Sequence, residues 1–468
     1  MEEKPRPWLP AGKGAGAPMK ESLRRRWGVR ILLALLVIGT GLTYFFSSRD
    51  RHSVYDYTFR VADTLLSGHI GFWEPQPSWL NEIVAYRGRY YSVFPLGAVL
   101  CMVPAAVLKR MHLLQDFPSA AIGAMVAGAT VFFLFQLTSL YRDTLVRRVI
   151  LTLFPVLATW MWCNTAFGGA WQLALTFAVL GQTGALYFLL VKRKPILAGA
   201  FFAMAFGNRT EILLTAPLFL YFLMRGASAL YASPPRKTKE EPARPEGRKK
   251  ERKEKVKDEK GKQEFVEVPS FWRQARSFLF LQTGDMARFL LIPFALGICT
   301  LAYNYLRFES PMDFGYARIP GVLREPWYRH GIFSLYAIPG NATAMLIQAW
   351  RIIPRYPYVV PGGFGDSIFL SCPLLVLLFR GSARDKDIKW SSWIALGVLT
   401  FLLWIHGNSG GWQYSYRYAM VLLPWMFMIM LECPPLRRPA WEMVLFAISV
   451  AINAWATYLF LWTRYVQP

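Results

Sequence analysis

Acidic residues are in short supply in this chain. Asp and Glu account for 29 of 468 residues against 53 Lys and Arg, and all charged residues together make up 18%. A soluble domain carries about 25%, so a fully water-facing polar shell is excluded. Cysteine is equally sparse. Cys101, Cys163, Cys299, Cys372 and Cys433 lie in or beside apolar stretches, and no two have metal-ligand or redox spacing. They read as small buried hydrophobes. His52, His69, His112, His330 and His406 show no zinc-type spacing. Strand-period alternation of the kind a membrane barrel needs is missing, so any spanning segments must be helical.

What the chain has instead is apolar length. Hydrophobic residues make up 54% and aromatic residues 16%. They fall into runs of roughly 15–22 residues, close to the 20 or so that a helix needs to cross a bilayer. The net charge of +24 does not point to nucleic acid, because the Lys and Arg gather in short loops between apolar runs, as the positive-inside rule requires. The run Ile31–Phe46 follows Arg24, Arg25, Arg26 and Arg30. About 30 residues precede it and no small-residue cleavage site follows, so it reads as a first span rather than a signal peptide.

The fold class expected is all-α and polytopic, with about 11 transmembrane helices. Residues 1–28 form a basic cytoplasmic tail, and 29–225 an N-terminal transmembrane module with a first external loop at 48–117. Residues 226–286 form a charged, disordered cytoplasmic insert. Its centre, 236–267, holds thirteen Lys or Arg and nine Asp or Glu and cannot bury a core. Residues 287–468 form a C-terminal module with an external loop at 307–365. The spans expected are 29–47, 118–140, 149–164, 172–191, 195–207, 211–225, 287–306, 366–380, 390–406, 418–432 and 441–461.

Val93–Leu108 decides the register. It is moderately apolar but interrupted by Pro95 and Pro104. If it spanned, Arg142, Arg147 and Arg148 would fall outside, so it is expected as a helix lying on the outer surface.

The polar residues then collect on the non-cytoplasmic side. Asp56, Arg60 and Asp63 are spaced four and three apart, which puts them on one helix face. A carboxylate there can take a proton from an acceptor hydroxyl or hold a cation. The plainer alternative is a helix-start charge with an intrahelical ion pair. Arg87 and Arg89, flanked by Tyr86, Tyr90 and Tyr91, suit bidentate phosphate binding or interfacial anchoring. Arg209 and Glu211 are ionisable groups in a strongly apolar setting, which points to function or to a local pair. In Trp404–Tyr418 the glycines allow close approach to a ligand, and Arg417 starts a span where it can hold an anion or anchor at the interface. Tyr90, Tyr91, His406, Trp412 and Tyr416 are the candidates for substrate contact. Asp366 is expected to cap its helix.

Several segments in this order resemble the GT-C superfamily of polyprenyl-phosphate-sugar-dependent glycosyltransferases. The bacterial branch related to protein O-mannosyltransferases and lipid A aminoarabinose transferases is the most similar. The elements are an acidic residue before Ala62–Gly68, a Gly88–Leu96 Gly-x-x-Tyr…Pro-Leu segment, Gly199–Thr210, Asn304–Phe308 and Gly410–Tyr418. The resemblance covers most of the chain outside the tail and the insert.

The resemblance implies a polyprenyl-phosphate-linked sugar donor and a glycan, lipid or protein acceptor. It also implies an active site on the external face of the plasma (inner) membrane. It gives Asp56 the role of catalytic carboxylate, with Asp63 as competitor. Arg60, Arg87, Arg89, Arg209 and Arg417 become donor-phosphate ligands. The chain departs from the pattern where Asp56 is displaced from the expected acidic position, and where Ser92-Val93-Phe94 replaces an acidic-Lys pair. A divalent cation enters only at the level of the family, since no ligand constellation stands out. Two other classes fit the apolar pattern: a transporter or lipid flippase, and a non-catalytic envelope assembly protein with the insert as its docking arm.

Overall fold

The computed structural model describes residues 19–231 and 271–466, and among them the chain is mostly helical. The charge-dense stretch 236–267 lies outside the described residues. Helix α1 (Met19–Ser47) begins inside the expected tail. A connecting segment carries α2 (Tyr57–Leu66), the hairpin β1 (Ile83–Tyr86) and β2 (Arg89–Ser92), α3 (Leu96–Leu100) and α4 (Val103–Arg110). Next come α5 (Ser119–Leu137), α6 (Leu145–Leu157), α7 (Met161–Phe167), α8 (Ala170–Leu190), α9 (Pro195–Asn208) and α10 (Ala216–Tyr231). The second half has α11 (Phe271–Phe308), α12 (Ile338–Leu346), the two-residue strands β3 (Arg351–Ile352) and β4 (Val359–Val360), and α13 (Ile368–Ser371). It ends with α14 (Lys386–Ile405), α15 (Leu423–Glu432) and α16 (Ala440–Trp462). Since α10 runs to Tyr231 and α11 starts at Phe271, both ends of the 226–286 segment are helical rather than disordered.

Six helices are long and apolar enough to cross a membrane, or seven if α6 and α7 count as one span bent by 46°. Pro155 sits inside α6, and a proline removes a backbone donor and bends its helix. The other four expected spans are shorter or broken. Helix α9 has 14 residues, and α10 follows a 3-10 turn at Thr210–Thr215. The 366–380 segment is the four-residue α13 followed by a 3-10 stretch, Pro373–Phe379. A 3-10 turn, Arg417–Leu422, precedes the ten-residue α15. Prolines at 217, 373 and 424 open these pieces, because proline suits a helix start and cannot continue one.

Helix α8 is the axis of the bundle, with 94% of its apolar window buried against 11% for α1. It packs between α5 and α9, and α11 lies along α9. Gly199 lets the backbone of α9 meet the Phe289 carbonyl directly. The two halves interlock through polar side chains. Gln182 donates to the Val421 carbonyl (3.0 Å) and accepts from Trp425 Nε1 (2.8 Å), the kind of buried hydrogen bond that holds apolar helices in register.

Val93–Leu108 is not one surface helix. Pro95 precedes α3 and Pro104 lies in the first turn of α4, so the run splits into two short pieces. Helix α3 is mostly buried against α9, where a Cβ on Gly97 would sit 2.5 Å from the backbone of Gly207.

The connections sort to two ends of the bundle. Residues 48–117, 307–365 and 404–418 meet at one end, through contacts such as Arg87 with Glu309, Arg307 with Ser92, and Gly407 with Ile332. Helices α5 and α14 run from that end to Asp143 and Arg384 at the other, where the two residues are joined at 2.6 Å.

Candidate functional site

Helix α2 starts at Tyr57, and its preceding residue Asp56 makes no side-chain cap. The carboxylate is taken instead by Arg60 one turn on, at 3.0–3.3 Å over three hydrogen bonds, and Arg60 also reaches Gln76 at 3.3 Å. Burial raises the Asp56 carboxyl, and the Arg60 guanidinium pulls the other way. Asp63 does not join this pair. It accepts from Lys109 (2.7 Å) and Arg110 (2.9 Å), clamping α2 onto α4. Burial pushes Asp63 up, but the two cations outweigh it and hold the carboxyl below its usual range.

The β1–β2 hairpin turns at Arg87-Gly88, both with positive φ (48° and 75°), which matches the twist of a two-residue hairpin turn. Arg87 is exposed and ion-paired with Glu309. The Arg89 guanidinium stacks 3.8 Å from the centre of the Trp73 ring. Tyr90 bridges to Phe72 through its backbone. Tyr91 is buried, its ring 5.8 Å from Phe308. Among the described residues, no hydrogen bond, ion pair or ring contact joins Asp56, Arg60, Arg87 or Arg89 to Arg209 or Arg417.

A different set does converge. Arg209 leaves α9 and pairs with Glu211 at 2.7 Å. Its guanidinium lies 4.7 Å from the centre of the Tyr418 ring, and that of Arg417 lies 5.2 Å from the same ring. Arg417 is 8% exposed. Among the described residues its Nη1 reaches only the Trp412 carbonyl (3.4 Å), and its buried Nε has no partner. Among the described residues no carboxylate forms an ion pair with it.

Around this pair stand His406, 6.1 Å ring to ring from both Tyr328 and Tyr418, and Tyr316, hydrogen-bonded to Tyr328 at 2.5 Å. Burial lowers the His406 imidazole and the charge of Arg209 adds to this, against the Nδ1 contact with the Asn408 carbonyl (2.7 Å).

Glu82 immediately precedes β1. Its Oε2 accepts from Trp171 Nε1 at 2.7 Å, and Arg417 acts on it electrostatically. Burial pushes its carboxyl up to about 7 against both influences. Sequence reasoning passed over Glu82, Tyr316, Tyr328 and Tyr418. Glu82 has no charged neighbour at helical spacing, and tyrosines are too common here to single out.

Three expectations change. Tyr416 is fully buried and bonds the Leu403 carbonyl at 3.3 Å, so like Tyr91 it belongs to the core. Trp412 packs on Phe460 in a tilted ring pair with centres 4.7 Å apart. Asp366 does not cap α13; Ser367 does, while Asp366 holds the Gly362 N–H at 2.9 and 3.0 Å. Among the described residues no three His, Cys, Asp or Glu are placed to hold a metal ion.

No family model, curated protein or solved structure matches the chain.

Proposed function

We propose that the chain is an integral-membrane glycosyltransferase that moves a sugar from a polyprenyl-phosphate donor to a hydroxyl on a glycan, lipid or protein. The observation that carries this reading is the convergence of Arg209 and Arg417 on Tyr418. A departing lipid phosphate concentrates negative charge at the membrane surface, and cations in partly dry surroundings stabilise it far better than water does. Arg209 is shared with Glu211. Among the described residues Arg417 forms no ion pair, Glu82 acting on it only at longer range, and a buried cation without a close partner is costly, so an anionic ligand is the natural complement.

In this reading the seven long or bent spans and the four shorter segments make eleven crossings of the plasma membrane. Arg142, Arg147, Arg148, Lys192, Arg193, Lys194, Arg437 and Arg438 mark the cytoplasmic side. The Arg209–Arg417 cluster then faces outward, where lipid-linked sugars are presented. A transporter would place its ionisable residues near the midplane of broken helices; here the ionisable clusters described sit at the two ends of the bundle, Arg209 with Arg417 at one and Asp143 with Arg384 at the other.

The test supplies radiolabelled polyprenyl-phosphate sugars to membranes containing the full chain. Wild type passes label to an acceptor, and Arg417→Ala lowers transfer by about 10²-fold or more while still inserting. If no lipid-linked donor supports transfer, and reconstituted protein instead moves a fluorescent polyprenyl phosphate across vesicles, a flippase replaces this reading.

A further inference from the structure

We infer that Glu82 is the proton acceptor of the transfer reaction, taking the acceptor's hydroxyl proton as its oxygen attacks the sugar. The inference rests on the glycosyl-transfer reading above and replaces Asp56 and Asp63 in that role.

Most carboxylates at this end of the bundle are already answered or lie out in solvent: Asp50, Glu74 and Asp116 are exposed, and Glu325 accepts from Trp327 two residues on, at the surface. Asp56 is held by Arg60, Asp63 by Lys109 and Arg110, Glu211 by Arg209, Glu309 by Arg87 and Asp313 by Arg318. Asp366 is occupied by the Gly362 N–H. Each would have to release a cation or a backbone donor before receiving a proton. Among the described residues Glu82 forms no ion pair, and its one side-chain hydrogen bond uses Oε2. Oε1 is free to meet a hydroxyl.

The mounting is rigid. The Glu82 carbonyl accepts from Val93 N–H at 3.0 Å, and its neighbour Asn81 accepts from the Tyr57 hydroxyl at 3.1 Å. Trp171, which orients the carboxylate, is wedged among Tyr55, Tyr57 and Phe94 at ring separations of 5.3, 5.0 and 6.2 Å. A base held this way loses little on binding its substrate. Trp171 opens α8, the helix on which the Arg417–Leu422 turn packs, and Arg417, the cation assigned to the leaving phosphate, acts on the Glu82 carboxylate electrostatically. The Glu82 carboxyl, near 7, is basic enough to accept a proton while still ionised at neutral pH.

The step balances. The acceptor O–H proton passes to Glu82 Oε1, and the acceptor oxygen bonds to the anomeric carbon. The bond from that carbon to the phosphate oxygen breaks, and its electron pair leaves with the polyprenyl phosphate beside Arg417. Glu82 then returns its proton to water.

The experiment uses full-length protein in membranes with the radiolabelled polyprenyl-phosphate sugar that wild type turns over. Glu82→Gln is expected to lower kcat by about 10²–10⁴-fold with donor retention unchanged, and Glu82→Asp to recover part of the rate. Trp171 donates to Glu82, and the charged and titratable groups that act on it electrostatically are Arg417, Tyr57 and Tyr316. Burial pushes both tyrosines upward, so neither ionises near neutrality. The wild-type rate should therefore fall about tenfold per pH unit below 7. Trp171→Phe leaves the carboxylate in place but removes a hydrogen bond that favours its ionised form, so it should move this limb to higher pH. That variant keeps the test open if Glu82→Gln does not fold.

Wild-type kcat in Glu82→Gln, or an acid limb that Trp171→Phe leaves unmoved, overturns the inference and leaves the glycosyl-transfer reading standing. Loss of turnover in Asp56→Asn but not in Glu82→Gln returns the role to Asp56. If wild type accepts no lipid-linked donor, the glycosyl-transfer reading fails and this inference falls with it.

Discussion

Asp143 and Arg384 form a bidentate ion pair, 2.6 and 2.8 Å, at the end of the bundle opposite the Arg209–Arg417 cluster. The Asp143 side chain is 2% exposed. Arg147 stands 4.0 Å from the same carboxylate and 3.6 Å from Glu442, so one network ties α6 to the segment before α14 and to α16. Removing one partner of a buried pair strands the other's charge, at about 3–5 kcal/mol. Asp143→Asn should lower the midpoint of thermal unfolding in detergent sharply. Adding Arg384→Met should recover part of the loss, because the stranded cation goes with it. An unchanged midpoint in Asp143→Asn would show the pair to be dispensable.

Gly97 and Gly207 let α3 touch α9 backbone to backbone. A Cβ at Gly97 would lie 2.5 Å from Gly207 main-chain atoms, with no flexible side chain to yield. Gly97→Ala is expected to cost about 1–3 kcal/mol by overpacking. Gly297→Ala, in α11 with open space around the new methyl, should be neutral or gain up to about 1 kcal/mol from helix propensity. Side-by-side denaturation of the two variants checks the contrast.

Asp63 contributes to acid stability with a definite sign. Its folded-state carboxyl is held below the usual range by Lys109 and Arg110. The contribution is therefore complete above the ordinary carboxyl value, near 4, and is lost as pH falls through the lowered one. The pair is partly exposed, so it is worth roughly 0.5–1 kcal/mol. Asp63→Asn should lose that amount at pH 7 and show a shallower decline on acidification, read from unfolding curves at stepped pH.

Arg307 is 1% exposed at the end of α11. It donates to the carbonyls of Ser92 and Phe94 and to Asn304 Oδ1 (2.5 Å), and its guanidinium lies over Tyr303 at 3.9 Å. It thereby anchors β2 to the second half of the chain. Arg307→Met leaves those acceptors without their donors and should cost about 1–3 kcal/mol for each buried group stranded. Limited proteolysis should then cut within 83–92, where wild type resists. Arg307→Lys should not rescue it, since an ammonium cannot reproduce the guanidinium fork.

Much of the architecture was legible along the chain because it is local. Ile31–Phe46 or Ala170–Leu190 reads as a helix crossing a bilayer from composition and length alone, and the Gly88 turn from its own neighbourhood. The Asp56–Arg60 pair was readable for the same reason, being four residues apart on one helix. Expectations failed where local pattern left two outcomes open. Val93–Leu108 has helical composition, but Pro95 and Pro104 cut it into pieces that pack under α2 and against α9. Tyr91 and Tyr416 look like surface aromatics by sequence and lie in the core, because burial depends on what the neighbouring element places over them.

By itself, then, the sequence determined that this is a helical membrane protein whose polar residues cluster in a few connecting segments, since the bilayer imposes length and hydrophobicity one helix at a time. Only the tertiary structure decided which charges meet. Arg60, Arg87 and Arg89 are occupied within their own neighbourhoods or by Glu309, whereas Arg209 and Arg417 come together on Tyr418 from distant segments, with Glu82 in the field of Arg417. That encounter depends on how α3, α8 and α9 cross, through close contacts such as Gly97 on Gly207, and no periodicity along the chain encodes a crossing.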